Sequence, residues 1–126
     1  MKVQPMLVVA DVEASSRWYQ DVLGLQSAHG GDEYEMLTLD GELVLQLHHD
    51  DTHEHPVLGR PPSSGVAIWF GDADMETAVA RIQAAGAEIA DGPLFNPLAH
   101  HEEVWLRDPD GHLIVVSGPF QPDRHS

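Results

Sequence analysis

The chain has 126 residues, with 6 lysine and arginine residues against 21 aspartate and glutamate residues and a formal net charge of −15. That charge repels nucleic-acid backbones and anionic membrane surfaces, so we expect neither as a partner. The absence of cysteine excludes a disulfide framework, thiolate catalysis and a cysteine-based zinc site. The first residues show no signal-peptide or membrane-spanning pattern, and we expect a cytoplasmic protein. The length predicts a single domain with its own hydrophobic core.

The first part of the chain predicts a strand, a helix and three further strands. Asp11 is a suitable N-cap, and the apolar spacing from Val12 predicts an amphipathic helix that ends at Gly24. The Asp40-Gly41 pair is typical of a tight β-hairpin turn. The strands are predicted over residues 3–9, 25–28, 34–39 and 43–48.

Residues 49–64 show no hydrophobic periodicity and contain three prolines, which predicts a linker or flap. After them, the same order of elements recurs. A second helix is predicted to start at Asp74-Met75, and residues 91–101 indicate an irregular connection. The last strands form a hairpin around Asp108-Pro109-Asp110-Gly111, because proline fixes one central φ and glycine allows a positive one. The strands of this part are predicted over residues 65–70 and 87–90 and on both sides of that turn.

Two copies of one strand, helix and three-strand pattern predict an α+β fold built from two βαβββ modules. The predicted boundaries are module one at 1–48, linker at 49–64, module two at 65–118 and tail at 119–126.

The motif Trp18-Tyr19-Gln20-Asp21-Val22-Leu23-Gly24-Leu25 in the first helix, and Asp108-Pro109-Asp110-Gly111 before the last strand, resemble the vicinal oxygen chelate superfamily. That superfamily includes glyoxalase I, extradiol dioxygenases, and fosfomycin-resistance and bleomycin-resistance proteins. The resemblance covers nearly the whole chain as a single domain. It implies two curled mixed sheets that form a cleft, and a homodimer.

In the metal-dependent members, the resemblance places one ligand on the first strand and one on the last strand of each module. Here those positions hold Gln4 and Gln46 in module one, and Gly65 and Val115 in module two. Amide oxygens are weak ligands, and glycine and valine offer no side-chain donor. We therefore expect neither a metal at these positions nor a cofactor.

Strand alternation, which does not depend on the resemblance, predicts which side chains face the cleft. If Leu43, Leu45 and Leu47 form core in one strand, the residues between them face the other way. In the fifth strand, alternation places Val66, Ile68 and Phe70 in the core. The side chains expected to line a ligand site are Gln4, Met6, Tyr34, Met36, Gln46, His48, Trp69, Glu103, Trp105 and Arg107.

Aromatic faces with a few polar groups are typical of small-molecule sites. We therefore predict a metal-independent binding protein, similar to the bleomycin-resistance members, that sequesters a planar compound such as an antibiotic between Trp69 and Trp105. The acidic balance of the chain favours a cationic ligand. In the alternative interpretation, the two tryptophans only fill space between sheets or at a dimer interface.

The competing hypothesis is an enzyme of the lyase, isomerase or dioxygenase kind. Its metal would be held by His48 and others outside the family's positions, or it would use His48 or Glu103 in metal-free acid–base catalysis, because an indole neighbour can raise the pKa of a carboxyl. Glu103 could instead pair with Arg107. A metal held in the loop by His48, His49, His53 and His55, and a regulatory subunit with a vestigial cleft, are the remaining alternatives.

Overall fold

The computed structural model describes residues 2–50 and 66–124. The chain divides into two compact units, Met1–Ser63 and Ser64–Ser126, and each is described by itself. The predicted linker lies outside the described residues from position 51 onward, as does Gly65. Within the described residues, neither helix is long and apolar enough to cross a membrane.

Unit 1 has the predicted order of one strand, one helix and three strands. The mixed sheet has the order β1-β4-β3-β2, in which β1 runs parallel to β4 and the other pairs are antiparallel. The elements are β1 (Met6–Val9), α1 (Val12–Leu23), β2 (Gln26–Ser27), β3 (Tyr34–Leu39) and β4 (Glu42–His49).

The ends of α1 follow from its capping residues, as the sequence predicts. The Asp11 carboxylate accepts a hydrogen bond from the Ala14 amide over 3.0 Å, which satisfies one of the amides that a helix start leaves open. At the other end Gly24 takes the left-handed conformation with φ 73°. Between β3 and β4, Asp40 and Gly41 both have positive φ, which is the geometry of a type I′ hairpin turn.

The core of unit 1 consists of apolar side chains from alternate strand positions and from one side of α1. Leu37, Leu45 and Leu47 are completely buried, together with Tyr19 of the helix. Leu43 was predicted to be core but is only half-buried. The reason is a register shift between Leu37 and Thr38, which ends the strict alternation at that point.

Unit 2 repeats the architecture with the sheet order β5-β8-β7-β6, in which β5 runs parallel to β8. The paired βαβββ modules of the prediction are therefore confirmed. The elements are β5 (Ala67–Gly71), α2 (Met75–Ala84), β6 (Glu88–Asn96), β7 (His101–Arg107) and β8 (Leu113–Ser117).

Two predictions about unit 2 were wrong. Most of the expected irregular connection is strand, because β6 continues to Asn96 and absorbs Gly92 and its neighbours as two register shifts against β7. Val66 is 56 % exposed rather than core, because the ladder between β5 and β8 begins only at Ala67. Ile68 and Phe70, the other two residues assigned to the core in this strand, are both half-buried.

Candidate functional site

The candidate site of unit 2 is a group of aromatic and polar side chains on the sheet face that points away from Val104, Leu106 and Ile114. We call this group the indole patch. It comprises Trp69 from β5, His101, Glu103 and Trp105 from β7, and Ser117 from β8.

Strand register brings the two tryptophans together. Trp69 pairs with Val115 across the β5–β8 ladder, and Trp105 pairs with the same Val115 across the β7–β8 ladder. Val115 is completely buried. The two indole rings meet edge to face, with centroids 5.7 Å apart and an angle of 86° between their planes. Trp69 keeps 48 % of its surface exposed, so an aromatic face is available to a ligand.

Both indoles are anchored through their N–H groups. Trp69 Nε1 donates to Ser117 Oγ over 2.7 Å, and Trp105 Nε1 donates to Glu103 Oε1 over 3.0 Å. The His101 ring lies 5.9 Å from the Trp69 ring, centroid to centroid. With their N–H groups fixed in this way, the rings are held in one orientation before any ligand arrives.

Glu103 is the centre of the polar network below the indoles. Its side chain is buried, its Oε2 lies 2.7 Å from His101 Nε2, and the Asn96 side chain also hydrogen-bonds to it. Burial raises the pKa of the Glu103 carboxyl, but the hydrogen bonds from Trp105, His101 and Asn96 outweigh it and leave the pKa below its ordinary value. An upward shift, which the enzyme hypothesis allowed for, is therefore not what the hydrogen bonds produce, and Glu103 is an ionised carboxylate at neutral pH.

The expected pair between Glu103 and Arg107 is also wrong. Arg107 is exposed, and its Nη1 donates to the Gly111 carbonyl oxygen at the turn over 2.9 Å. Glu103 contacts His101 instead. His101 is the first residue of β7, and residues two apart on a strand share one face.

Sequence reasoning missed three members of this network. His101 was assigned to a loop, which hid its place two residues before Glu103. Ser117 lies on the correct face by alternation, but nothing in the sequence marks its hydroxyl as the partner of Trp69. Asn96 fell in the supposed irregular connection, and only the long β6 strand, which pairs it with His101, brings it close.

Unit 1 brings most of its predicted site residues onto one sheet face. Met6 and Met36 flank Gln46 in the ladder, and Tyr34 pairs with His48. These side chains are half-buried, whereas Gln4 is exposed just before β1. His48 Nδ1 lies 2.8 Å from the His49 carbonyl oxygen.

The Gln46 carboxamide is committed to its neighbours within unit 1. Its Oε1 accepts from the Tyr34 hydroxyl over 2.5 Å, and its Nε2 donates to the Gln4 carbonyl oxygen over 3.0 Å. The His29 ring stands edge to face against Tyr34, 5.2 Å between centroids. His29 lies between β2 and β3, and it is not among the side chains that the sequence predicts to line a ligand site.

The residues at the family's ligand positions do not fit a divalent metal. Gln46 is held by two hydrogen bonds, and Val115 is an apolar side chain enclosed by two indoles. Gly65 lacks a donor side chain and lies outside the described residues, as do His53 and His55 of the proposed loop site. Among the described residues, no three His, Asp or Glu side chains are grouped so that they could hold a metal ion.

Two βαβββ units, each with a four-stranded mixed sheet whose first strand runs parallel to its last, define the glyoxalase-like fold. The sequence model of the Glyoxalase/Bleomycin resistance protein/Dioxygenase superfamily matches residues 3–116, and the chain belongs to this superfamily.

The chain is also similar to other proteins in sequence and in structure. The chain is 30 % identical over 115 residues to the virulence protein STM3117 of Salmonella typhimurium, covering 89 % of this chain and 79 % of that protein. An integron cassette protein from the mobile metagenome of V. cholerae is 26 % identical, with a TM-score of 0.73 over 94 % of this chain and 97 % of that one. A Burkholderia phytofirmans enzyme of the same superfamily shares the fold, with 19 % identity and a TM-score of 0.74 over 90 % of this chain and 94 % of that one.

Proposed function

We infer that this protein is a metal-independent small-molecule binding protein that sequesters a planar compound against the indole patch. The observation that carries the proposal is the pair of anchored indoles, one of them half exposed, above a buried carboxylate. Planar molecules bind well to such rings because contact with an aromatic face adds dispersion to the burial of apolar surface.

The chemistry of the patch favours binding over catalysis. A general base is most efficient when its pKa lies near the operating pH. The hydrogen bonds to Glu103 hold the pKa of the carboxyl below its ordinary value, which makes it a weaker base. The superfamily contains resistance proteins as well as enzymes, and sequestration requires no proton transfer and no metal ligand.

The proposal includes an acidic homodimer that acts in the cytoplasm. The dimer rests on the family resemblance, and the location rests on the cysteine-free composition. Sedimentation equilibrium of the full chain should give twice the mass of one chain. A monomer at micromolar concentration would contradict this part of the proposal.

The binding experiment uses acridine as a planar probe. Full-length untagged protein treated with a chelator is placed in equilibrium dialysis against acridine, and the compound is then extracted and identified. We expect saturable binding without added metal and recovery of unchanged acridine. Binding that appears only after a divalent metal is restored, or conversion of the compound to a product, would contradict the proposal.

A further inference from the structure

The Glu103 carboxylate carries a negative charge that no lysine or arginine of unit 2 neutralises within the described residues. The three arginines of this unit have other partners. Arg81 faces Asp72, Arg107 donates to the Gly111 carbonyl oxygen, and Arg124 pairs with Glu102. The only lysine in the chain is Lys2, which belongs to unit 1.

His101 Nε2 lies 2.7 Å from Oε2 and forms an ion pair with the carboxylate only when the imidazole is protonated. The other donors are neutral and hold the carboxylate in place without cancelling its charge. Trp105 donates an indole N–H, and the Asn96 side chain also hydrogen-bonds to Glu103. The Asn96 Oδ1 in turn accepts from the Leu98 and Ala99 amides, over 3.0 and 3.3 Å. The carboxylate is therefore fixed by the turn after β6 as well as by its own strand.

The hydrogen bond that Trp105 donates to Glu103 connects this charge to the aromatic surface. An indole whose N–H is donated to a carboxylate is polarised so that its ring becomes more electron-rich. Electron-rich aromatic faces attract cations through the ring quadrupole, and the attraction increases when water is excluded. Trp69 meets Trp105 edge to face at 5.7 Å, which extends the same surface to the exposed indole.

We propose that Glu103, acting through Trp105, makes the indole patch selective for planar cations over neutral molecules of the same shape. This inference rests on the proposed function. Glu103 is in this account a specificity-determining residue that does not itself stack on the ligand. The ligand class is an aromatic compound with a permanent positive charge delocalised over its rings, such as an N-alkylated heteroaromatic cation.

The experiment compares two probes of nearly the same shape, N-methylacridinium and acridine, at about pH 8, where acridine is uncharged. Equilibrium dialysis of the wild-type protein should give a Kd about tenfold lower for N-methylacridinium. Glu103→Gln keeps an acceptor for the Trp105 N–H and removes the charge. In this variant the two Kd values should become equal within about twofold.

Glu102→Gln is the matched control, because it removes the same formal charge from the adjacent residue, which points to the other face of β7 and pairs with Arg124. Glu102→Gln should still bind N-methylacridinium more tightly than acridine, by about the same factor as the wild type. Equal binding of both probes by the wild type, or an undiminished preference in Glu103→Gln, would overturn the inference while leaving the proposed function intact. An equal loss in Glu102→Gln would overturn it too.

The ratio of the two Kd values in the wild-type protein is measured without any variant. The inference therefore remains testable if Glu103→Gln fails to fold. Absence of saturable binding of either probe would overturn the proposed function and this inference together.

Discussion

Trp69 and Trp105 meet edge to face, 5.7 Å between ring centroids, because both pair with Val115 from opposite sides. An apolar floor and two polar anchors, Ser117 and Glu103, hold this pair in position. In this fold, Val115 is the strand neighbour of both aromatic rings.

The anchor of Trp69 is the hydroxyl of Ser117, 2.7 Å from Nε1. Ser117→Ala should raise the Kd for acridine roughly threefold and cost about 0.5–1 kcal/mol of unfolding free energy, because the indole loses its orientation but its N–H can turn to water. Equilibrium dialysis and urea unfolding measure the two effects. In a Trp69→Phe background the same substitution should not change the Kd further, and an equal change there would contradict the assigned role.

The apolar floor of the patch is Val115, which is completely buried. Val115→Thr keeps the shape and places a hydroxyl beneath the two indoles, which should cost about 1–3 kcal/mol of unfolding free energy. Val66→Thr, at a position that is 56 % exposed, should change it by less than about 0.5 kcal/mol. Urea unfolding of both variants checks the difference, and equal effects would show that Val115 is not enclosed.

Gly92 allows β6 to approach the backbone of Glu103. It has φ 86°, and a Cβ added there would lie 2.8 Å from the Glu103 carbonyl oxygen. Gly111 has nearly the same φ, 87°, and open space around its Cα. Gly92→Ala should therefore cost about 1–3 kcal/mol more than Gly111→Ala, because only the first adds a steric clash to the backbone strain.

Thermal unfolding of the two alanine variants gives that comparison. Gly92→Ala should also weaken acridine binding, since its clash is with the strand that carries Glu103 and Trp105. Equal stabilities for Gly92→Ala and Gly111→Ala would contradict the close approach of β6 and β7 at this point.

Glu35 is the buried carboxylate of unit 1. It accepts from the Ser16 and Ser27 hydroxyls over 2.8 and 2.7 Å and from the His29 and Gly30 amides over 3.1 and 2.8 Å. Burial raises the pKa of this carboxyl, but these hydrogen bonds lower it by more, so its pKa in the folded protein lies below the ordinary 4.5. The side chain joins α1, β2 and the turn that follows β2.

The sign of the pH effect follows from this lowered pKa. Below about pH 4.5 the carboxyl of the unfolded chain binds a proton, whereas that of the folded chain does not. The free energy of unfolding therefore decreases as the pH is lowered, until the carboxyl of the folded protein is also protonated. Glu35→Gln lacks this ionisation and should show a shallower acid limb in urea unfolding between about pH 5 and 3. Parallel curves for the wild type and Glu35→Gln would contradict the role of the carboxylate.

Much of the fold was predictable because its signals are local. Asp11 and Gly24 fix the ends of α1, and Asp40-Gly41 and Asp108-Pro109-Asp110-Gly111 fix two hairpins. Period-two alternation then assigns Leu45 and Leu47 to one face and Gln46 to the other. Only the first residues of β6 were predictable, because Gly92 and Pro93 are typical of a loop and only pairing with β7 makes the rest of that segment a strand.

For the candidate site, the sequence predicted which side chains share a face of the sheet, but not which atoms form hydrogen bonds with each other. Alternation identifies Trp105 and Glu103 as neighbours, but the partner of each polar atom depends on cross-strand register, which brings Asn96 and Ser117 to their positions. An indole beside an acid can raise the pKa of the carboxyl, whereas the hydrogen bonds to Glu103 lower it. The sequence shows an indole next to an acid, whereas the number of hydrogen-bond donors that reach the carboxylate determines the pKa.

The most direct test of the proposed site is the affinity of the protein for acridine when Trp69 or, as a control, Trp18 is removed. Equilibrium dialysis should show that Trp69→Ala, which loses the half-exposed face of the patch, raises the Kd about tenfold or more. Trp18→Ala, which removes the tryptophan of α1 that packs against Tyr19, should leave it within about twofold of the wild type. An unchanged Kd in Trp69→Ala, or an equal loss in Trp18→Ala, would contradict the claim that the indole patch is the binding site.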